Sequence, residues 1–251
     1  MEKIPSFFAA LAASVVVMAG IANAAEIRLI GSPGFREAYS ELVPQFEKVS
    51  GNHVTTIWGG VNEVANRVAG GETADIVILP VAQIEDLTKK GKLAADSRAD
   101  VAKSGIGVAV KAGAPKPDLS SGEALKNALL KAKSIAYSTG PSGVHMELLL
   151  KQWGIADAVK GKIVIAPSDT PVGVIVARGG AEIGFQQVSE LIRVKGIDYL
   201  GPLPKDVQEI TVFAAALHKA AAAPDAARAL VKFLSAPAAA VIIRKTGMEP
   251  G

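Results

Sequence analysis

Apolar and polar positions along this chain switch between two periods. Glu26-Ile27-Arg28-Leu29-Ile30 alternates and predicts a strand. Gly31-Ser32-Pro33-Gly34 follows as a turn, with Ser32 placed as an N-cap and Pro33 at the first helical position. Phe35, Tyr39, Leu42, Val43, Phe46 and Val49 then recur at helical spacing, up to Gly51. Pro44 inside that pattern should kink or divide the helix. His53 to Trp58 predicts a second strand, and Gly59-Gly60 opens a helix with Val61, Val64, Ala65 and Val68 on one face. Ile76-Val77-Ile78-Leu79 is apolar throughout, the pattern of a parallel strand covered on both faces. A short helix around Ile84 and Leu87 ends at Gly91.

The alternation starts again after Gly105 to Val110, read as a strand, and the break Lys111 to Pro117. A helix near Glu123–Lys131 leads to strand Ser134–Tyr137, and the turn Ser138 to Gly143 leads to a helix through Trp153. Strand Ile163–Ala166, turn Ser168–Pro171, a helix to Arg178 and strand Glu182–Phe185 follow. A strand over Glu209 to Leu217 precedes two Ala-rich helices, Pro224–Leu234 and Pro237–Lys245. Strands alternating with helices through short loops predict a doubly wound α/β architecture. Two such halves predict two lobes of roughly 100 residues each. Ligands of open α/β sheets sit at the carboxyl ends of strands against helix N-termini. The candidate site is therefore the set of turns that follow the strands.

The N-terminus has a different character. Lys3 precedes an apolar run from Phe7 to Ile21, and Ala22-Asn23-Ala24 is a small-x-small cleavage pattern before the polar Glu26. A membrane anchor is the rival reading, but the run falls short of the ~20 residues a span needs. Residues 1–24 are thus expected to be a signal peptide cleaved near Ala24, and the mature chain an exported, periplasmic protein. The chain has no Cys, which excludes disulfides, zinc–thiolate sites and a lipidated cysteine anchor. A net charge of +3, no basic run longer than Lys89-Lys90 and 5% aromatics argue against a nucleic-acid partner.

The turns carry hydroxyls, amides and small residues: Ser32, Gly59-Gly60-Val61-Asn62, Ser138-Thr139-Gly140-Pro141-Ser142-Gly143, Asp169-Thr170-Pro171-Val172 and Gln186-Gln187. Helix N-termini add free N–H groups and the positive end of the dipole. Recurrence in both halves points to an anion site built from neutral donors, although any one of these residues also caps helices in ordinary α/β proteins. No Arg lies in the turns; Arg36, one turn into the first helix, reads as a solvated side chain. Of the three histidines, His53 and His218 at strand ends read as surface residues, and His145 stands in the first turn of a helix at the expected cleft. Glu63 and Glu147 occupy similar first-turn positions, which the helix dipole favours without any function.

With these residues in place, the chain resembles the periplasmic solute-binding proteins of ABC transporters, type II fold, in the molybdate-binding-like group. The resemblance rests on the strand–Ser32–helix opening, Pro44-Gln45-Phe46-Glu47-Lys48, the Gly59-Gly60 turn and Gly71-Glu72-Thr73-Ala74-Asp75-Ile76. It rests also on Pro141-Ser142-Gly143, Val176 to Gly184 and Lys232-Phe233-Leu234-Ser235-Ala236-Pro237. It implies two α/β lobes with mixed, mostly parallel sheets: lobe I from 25–107 plus 212–251, lobe II from 108–211. It implies a monomer that hands a small anion to a permease, with no cofactor and no metal.

The ligand-binding residues it implies are Ser32, Gly60, Val61, Asn62, Ser142, Gly143, Val144, His145, Val172 and Gln186. Val61 stands where molybdate binders carry a second serine, and Gln186-Gln187 where they carry a tyrosine. The run Gly184-Phe185-Gln186-Gln187-Val188-Ser189-Glu190-Leu191 instead resembles periplasmic aconitate isomerases on the same scaffold, as do Ser104 to Val108 and Ala112 to Asp118. That second likeness implies an organic di- or tricarboxylate as the alternative ligand. It implies isomerisation as the alternative function, with His145 or Glu63 as the base.

Overall fold

The computed structural model describes residues 24–167 and 170–251, so the expected signal peptide falls outside the described residues except for Ala24, as do Ser168 and Asp169 of one turn. The first half runs β1 (Glu26–Gly31), α1 (Arg36–Ser50), β2 (His53–Trp58), α2 (Val61–Ala69), β3 (Ile76–Pro80) and α3 (Val81–Lys89). β4 (Ala99–Lys111) leads into α4 (Gly122–Lys131), β5 (Ile135–Ser138), α5 (Pro141–Gln152), α6 (Ala156–Val159), β6 (Ile163–Ala166), α7 (Val172–Ala177), β7 (Ile183–Gln187), α8 (Val188–Leu191) and β8 (Ile197–Pro202). The chain closes with β9 (Ile210–Leu217), α9 (Pro224–Leu234), α10 (Ala240–Lys245) and β10 (Glu249–Pro250).

The strand order is β2-β1-β3-β9-β4-β7-β5-β6, with β8 and β10 also on β4. β1 pairs in parallel with β2 and β3, and β5 pairs in parallel with β6 and β7. Antiparallel β9 and β4 join the two groups. β4 is the strand they share: Ala99 to Gly105 pairs with β9, and Ile106 to Val110 pairs with β7. The sequence pattern places only Gly105 to Val110 in this strand. Its earlier part was hidden because a register shift between Asp100 and Ala102 breaks the period of two.

Each parallel group is covered on both faces, and the strand alternation decides which residue goes where. Ile27 and Leu29 of β1 and Ile76 and Ile78 of β3 pack with Phe35, Leu42 and Phe46 and with Leu230 and Leu234 of α9. Ile30, Val77 and Leu79 point to the other side, against Val64 and Val68 of α2 and Ile84 and Leu87 of α3. Each such side chain contributes about 1.5–3 kcal/mol by leaving water. In the second half, Ile106, Val108 and Val110 pack with Leu125, Leu129, Met146 and Leu149, and Ala136 with Val172 and Val176.

Two expectations need correction. α1 runs unbroken through Pro44, an exposed residue, to a left-handed Gly51 with φ 72°. The proline forfeits one helix bond on the solvent side, which tertiary packing of the opposite face outweighs. His218 is buried, not a surface residue: its Nδ1 accepts from the Ala220 N–H at 3.0 Å, and burial, then the nearby Lys92, lowers its pKa. Buried Asp75 ties the first half to the start of α9 by accepting the N–H of Arg28 at 2.7 Å and of Ala223 at 2.8 Å.

Candidate functional site

A cleft of about 430 Å³ opens between the turns after β1 and β2 and those after β5, β6 and β7. Its size suits a small organic or inorganic ligand. Of the expected residues, Ser32, Gly60, Val61, Ser142 and Gln186 line it. Ser32 is fully buried, and its Oγ has no hydrogen-bond partner among the described residues. Its backbone N–H is taken by the Ile78 carbonyl at 3.0 Å, and its side chain does not cap the following helix. A buried hydroxyl without a partner is costly unless something else supplies one. Gly34, on the same turn, sits against the Phe213 ring, where a Cβ would come within 2.2 Å. That close approach positions the Ser32 turn over the crossing strand β9.

Across the cleft, Gln186 ends β7. Its Oε1 accepts the Val172 N–H at 2.9 Å, and its Nε2 donates to Glu190 Oε1 at 2.8 Å. The first bond decides the second, because an amide whose oxygen faces a donor must turn its NH2 the other way. Glu190 lines the cleft from α8, and burial pushes its carboxyl up to about 7, partly offset by the Gln186 hydrogen bond.

On the opposite wall, Arg36 lines the cleft with its guanidinium 5.9 Å from the centroid of the Trp58 ring. Trp58 is held edge-on by Tyr39 at 5.0 Å and 89°, and the Tyr39 hydroxyl bonds Thr56 Oγ1. No carboxylate among the described residues pairs with Arg36. Ser138, Thr139 and Thr170 add hydroxyls to the lining.

The remaining expected residues lie elsewhere. Asn62, Val144 and His145 line an adjoining cavity of about 510 Å³ that shares Val61, Thr139, Gly140 and Pro141 with the cleft, and His145 Nε2 is bonded to the Val207 carbonyl at 2.8 Å. Gly143 faces away from the cleft: a Cβ there would fall 1.5 Å from the Ser138 carbonyl oxygen, so its role is to let the first turn of α5 rest on the end of β5. Val172, expected among the ligand-binding residues, is fully buried, and its N–H is spent on Gln186. Glu63 is not in the cleft lining either; its Oε2 accepts the Gly60 N–H at 3.3 Å and its Oε1 meets Arg67 at 3.4 Å. Neither residue expected as a base borders the cleft.

Arg36 and Glu190 are what the sequence pattern missed. Arg36 has the ordinary signature of a surface residue in a first helical turn. The sequence pattern ends the strand over Glu182–Phe185 two residues before β7 ends at Gln187, and so does not reach α8 and its carboxylate. The available signal was spacing, since Gln186 and Glu190 stand four apart across a strand-to-helix turn.

Two α/β groups joined by crossing strands around an open cleft with unpaired donors define a two-lobed solute receptor. The chain belongs to the bacterial extracellular solute-binding protein family, whose model matches residues 27–249. Proteins of this family are exported and bind small solutes. An aconitate isomerase of a Pseudomonas species is 36% identical over 89% of this chain and 87% of its own. The molybdate-binding protein ModA of Azotobacter vinelandii is 29% identical over 92% of each chain. Among solved structures, the Azotobacter vinelandii periplasmic molybdate-binding protein aligns with a TM-score of 0.75 at 23% identity, covering 90% of this chain and 99% of that one. The sulfate-binding protein SubI of Mycobacterium tuberculosis aligns with a TM-score of 0.72 at 18% identity, covering 90% and 87%. The fold is the type II periplasmic-binding-protein fold that the sequence motifs implied.

Proposed function

We propose that the mature chain is a monomeric periplasmic receptor, released by cleavage near Ala24, whose cleft takes a small organic di- or tricarboxylate for an ABC-transporter permease. The observation that carries this reading is Arg36, a guanidinium on the cleft wall that pairs with no carboxylate among the described residues. A planar guanidinium matches a carboxylate in a two-pronged bond. The Ser32 hydroxyl and the Val61 N–H, which has no carbonyl within α2 to bond, supply further donors. The lobes are taken as 25–107 with 212–251, and 108–211, closing on the ligand by a hinge at β4 and β9.

A thermal-shift panel with cis-aconitate, trans-aconitate, citrate, molybdate, tungstate, sulfate and phosphate tests this. A ligand at 100 times its Kd adds about 2.7 kcal/mol, or roughly 5–10 °C for a chain of this size. Stabilisation by the tricarboxylates alone is the expected result; stabilisation by molybdate and tungstate alone overturns it.

A second reading is that the bound ligand is also turned over between cis- and trans-aconitate. The 36% identical isomerase favours it, and so does a titratable carboxyl in the cleft. Conversion of one isomer into the other by the purified chain, followed by NMR, is the test.

A further inference from the structure

We infer that Glu190 is the acid–base residue of the cleft, moving a proton between two carbons of the bound tricarboxylate, and that Gln186 positions it. This inference rests on the second reading above and names the residues that reading lacks.

Proton transfer at carbon needs a base within reach of the ligand, held in one orientation and titrating near the working pH. Glu190 and Arg36 are the titratable side chains among the described residues that line the cleft, and an arginine is a poor base. Orientation comes from the relay already described. The Val172 N–H fixes the Gln186 amide at 2.9 Å, and the amide holds Glu190 Oε1 at 2.8 Å, which leaves Oε2 for the ligand. The anchor is packed in place: Gln186 and Val172 are both buried, and Ser189, the residue before Glu190 on α8, donates to the Gly34 carbonyl at 2.7 Å. That last bond links the base to the turn that carries Ser32.

Burial rather than a neighbouring charge sets the carboxyl near neutrality. Across the cleft the charged side chain is Arg36. On α8's C-terminal side Arg193 is held by Glu41 at 2.5 Å and Glu37 at 3.6 Å. The titratable groups of β4 and β8, which pack on α8, are Asp100, Lys103, Lys111, Asp198 and Tyr199. None of them is among the causes of the shift.

The step balances without an oxidant or a reductant. In its carboxylate form Glu190 takes a proton from the methylene carbon of cis-aconitate. The electron pair of that C–H bond forms a double bond to the central carbon, and the pair of the old double bond moves onto the vinyl carbon and the carboxylate it carries. Arg36, the Ser32 hydroxyl and the N–H groups at the start of α2 are the donors available to that charge. The carboxylic acid of Glu190 then returns the proton to the former vinyl carbon. The double bond has moved by one carbon and formed in the trans arrangement, and Glu190 is again a carboxylate.

The test compares Glu190→Gln, Glu190→Asp, His145→Gln and the unaltered protein for aconitate binding by calorimetry. Conversion, and methylene H/D exchange in D2O, are read by NMR. Expected results are a 10²–10⁴-fold loss of conversion and of exchange in Glu190→Gln, with Kd within tenfold; partial activity in Glu190→Asp; and no loss in His145→Gln. Gln186→Leu removes the bond that lowers the Glu190 pKa, so the pH at which activity switches on moves upward. Retained conversion in Glu190→Gln overturns the inference while leaving turnover standing. Binding without conversion or exchange by the unaltered protein overturns turnover as well and leaves the receptor reading intact. Loss of binding together with fold in Glu190→Gln leaves Glu190→Asp and the Gln186→Leu pH profile to decide, and an unmoved profile overturns the inference.

Discussion

The Ser32 hydroxyl is sealed from solvent and has no hydrogen-bond partner among the described residues. Ser32→Ala therefore costs the folded protein nothing and removes a donor from the bound ligand. The expected result is an unchanged or slightly higher Tm and an affinity about fivefold weaker, the equivalent of about 1 kcal/mol, both readable in one thermal-shift and calorimetry series. Glu190 makes the opposite kind of prediction. Its ordinary carboxyl pKa of 4.5 is raised to about 7 in the folded chain. Between those values the folded state binds more protons than the unfolded state, so stability falls as pH rises through this window. Tm measured from pH 5 to pH 8 should drop more steeply for the unaltered protein than for Glu190→Gln; parallel curves would remove Glu190 as a buried titrating group.

Among the elements, the start of α5 is the most tightly specified. Gly143 lies on the Ser138 carbonyl with no room for a methyl group, and Pro141 begins the helix at its first position. Gly143→Ala must push α5 off β5 and carry Ser142 away from the cleft. Overpacking of this kind costs about 1–3 kcal/mol, so Tm should fall by roughly 2–10 °C and ligand affinity should weaken with it. An unchanged Tm would show that α5 adjusts freely. Elsewhere the helices and strands follow their own patterns. β1 and β3 sort Ile27, Leu29, Ile76 and Ile78 to one face and Ile30, Val77 and Leu79 to the other. That sorting explains why the run Ile76 to Leu79 is apolar throughout. α1 kept Pro44, against local propensity, because Leu42, Val43 and Phe46 are packed on the far face.

For the whole molecule, the two α/β groups meet through β4 and β9, which place Gly105 opposite Ile210 at the crossing. Buried Gln187 of β7 pairs its amide with the Thr211 hydroxyl of β9 at 3.0 Å, close to that crossing. Ligand held between the two groups should bring them together about these crossing strands. Small-angle scattering is expected to show a smaller radius of gyration with a saturating tricarboxylate than without it. An identical profile at saturation, with binding confirmed by calorimetry, would mean that the receptor binds without closing.

Periodicity alone determined most of the elements, the two-half organisation and the turns where a ligand would sit, because strand and helix spacing are local properties of the chain. Ser32 and Gln186 were legible for the same reason, since both stand at strand-to-helix turns. Tertiary structure decided which of those turns share one space. It put Asn62, Val144 and His145 into a second cavity and spent Val172 on Gln186. It left Arg36 exposed, as its place in the sequence suggests, but on the wall of the cleft, and it turned Glu190 toward the same space. The physical reason is that a side chain's partners and its pKa depend on what lies within a few ångströms of it. Those neighbours come from residues as far apart as Gly34 and Ser189, which no local pattern connects.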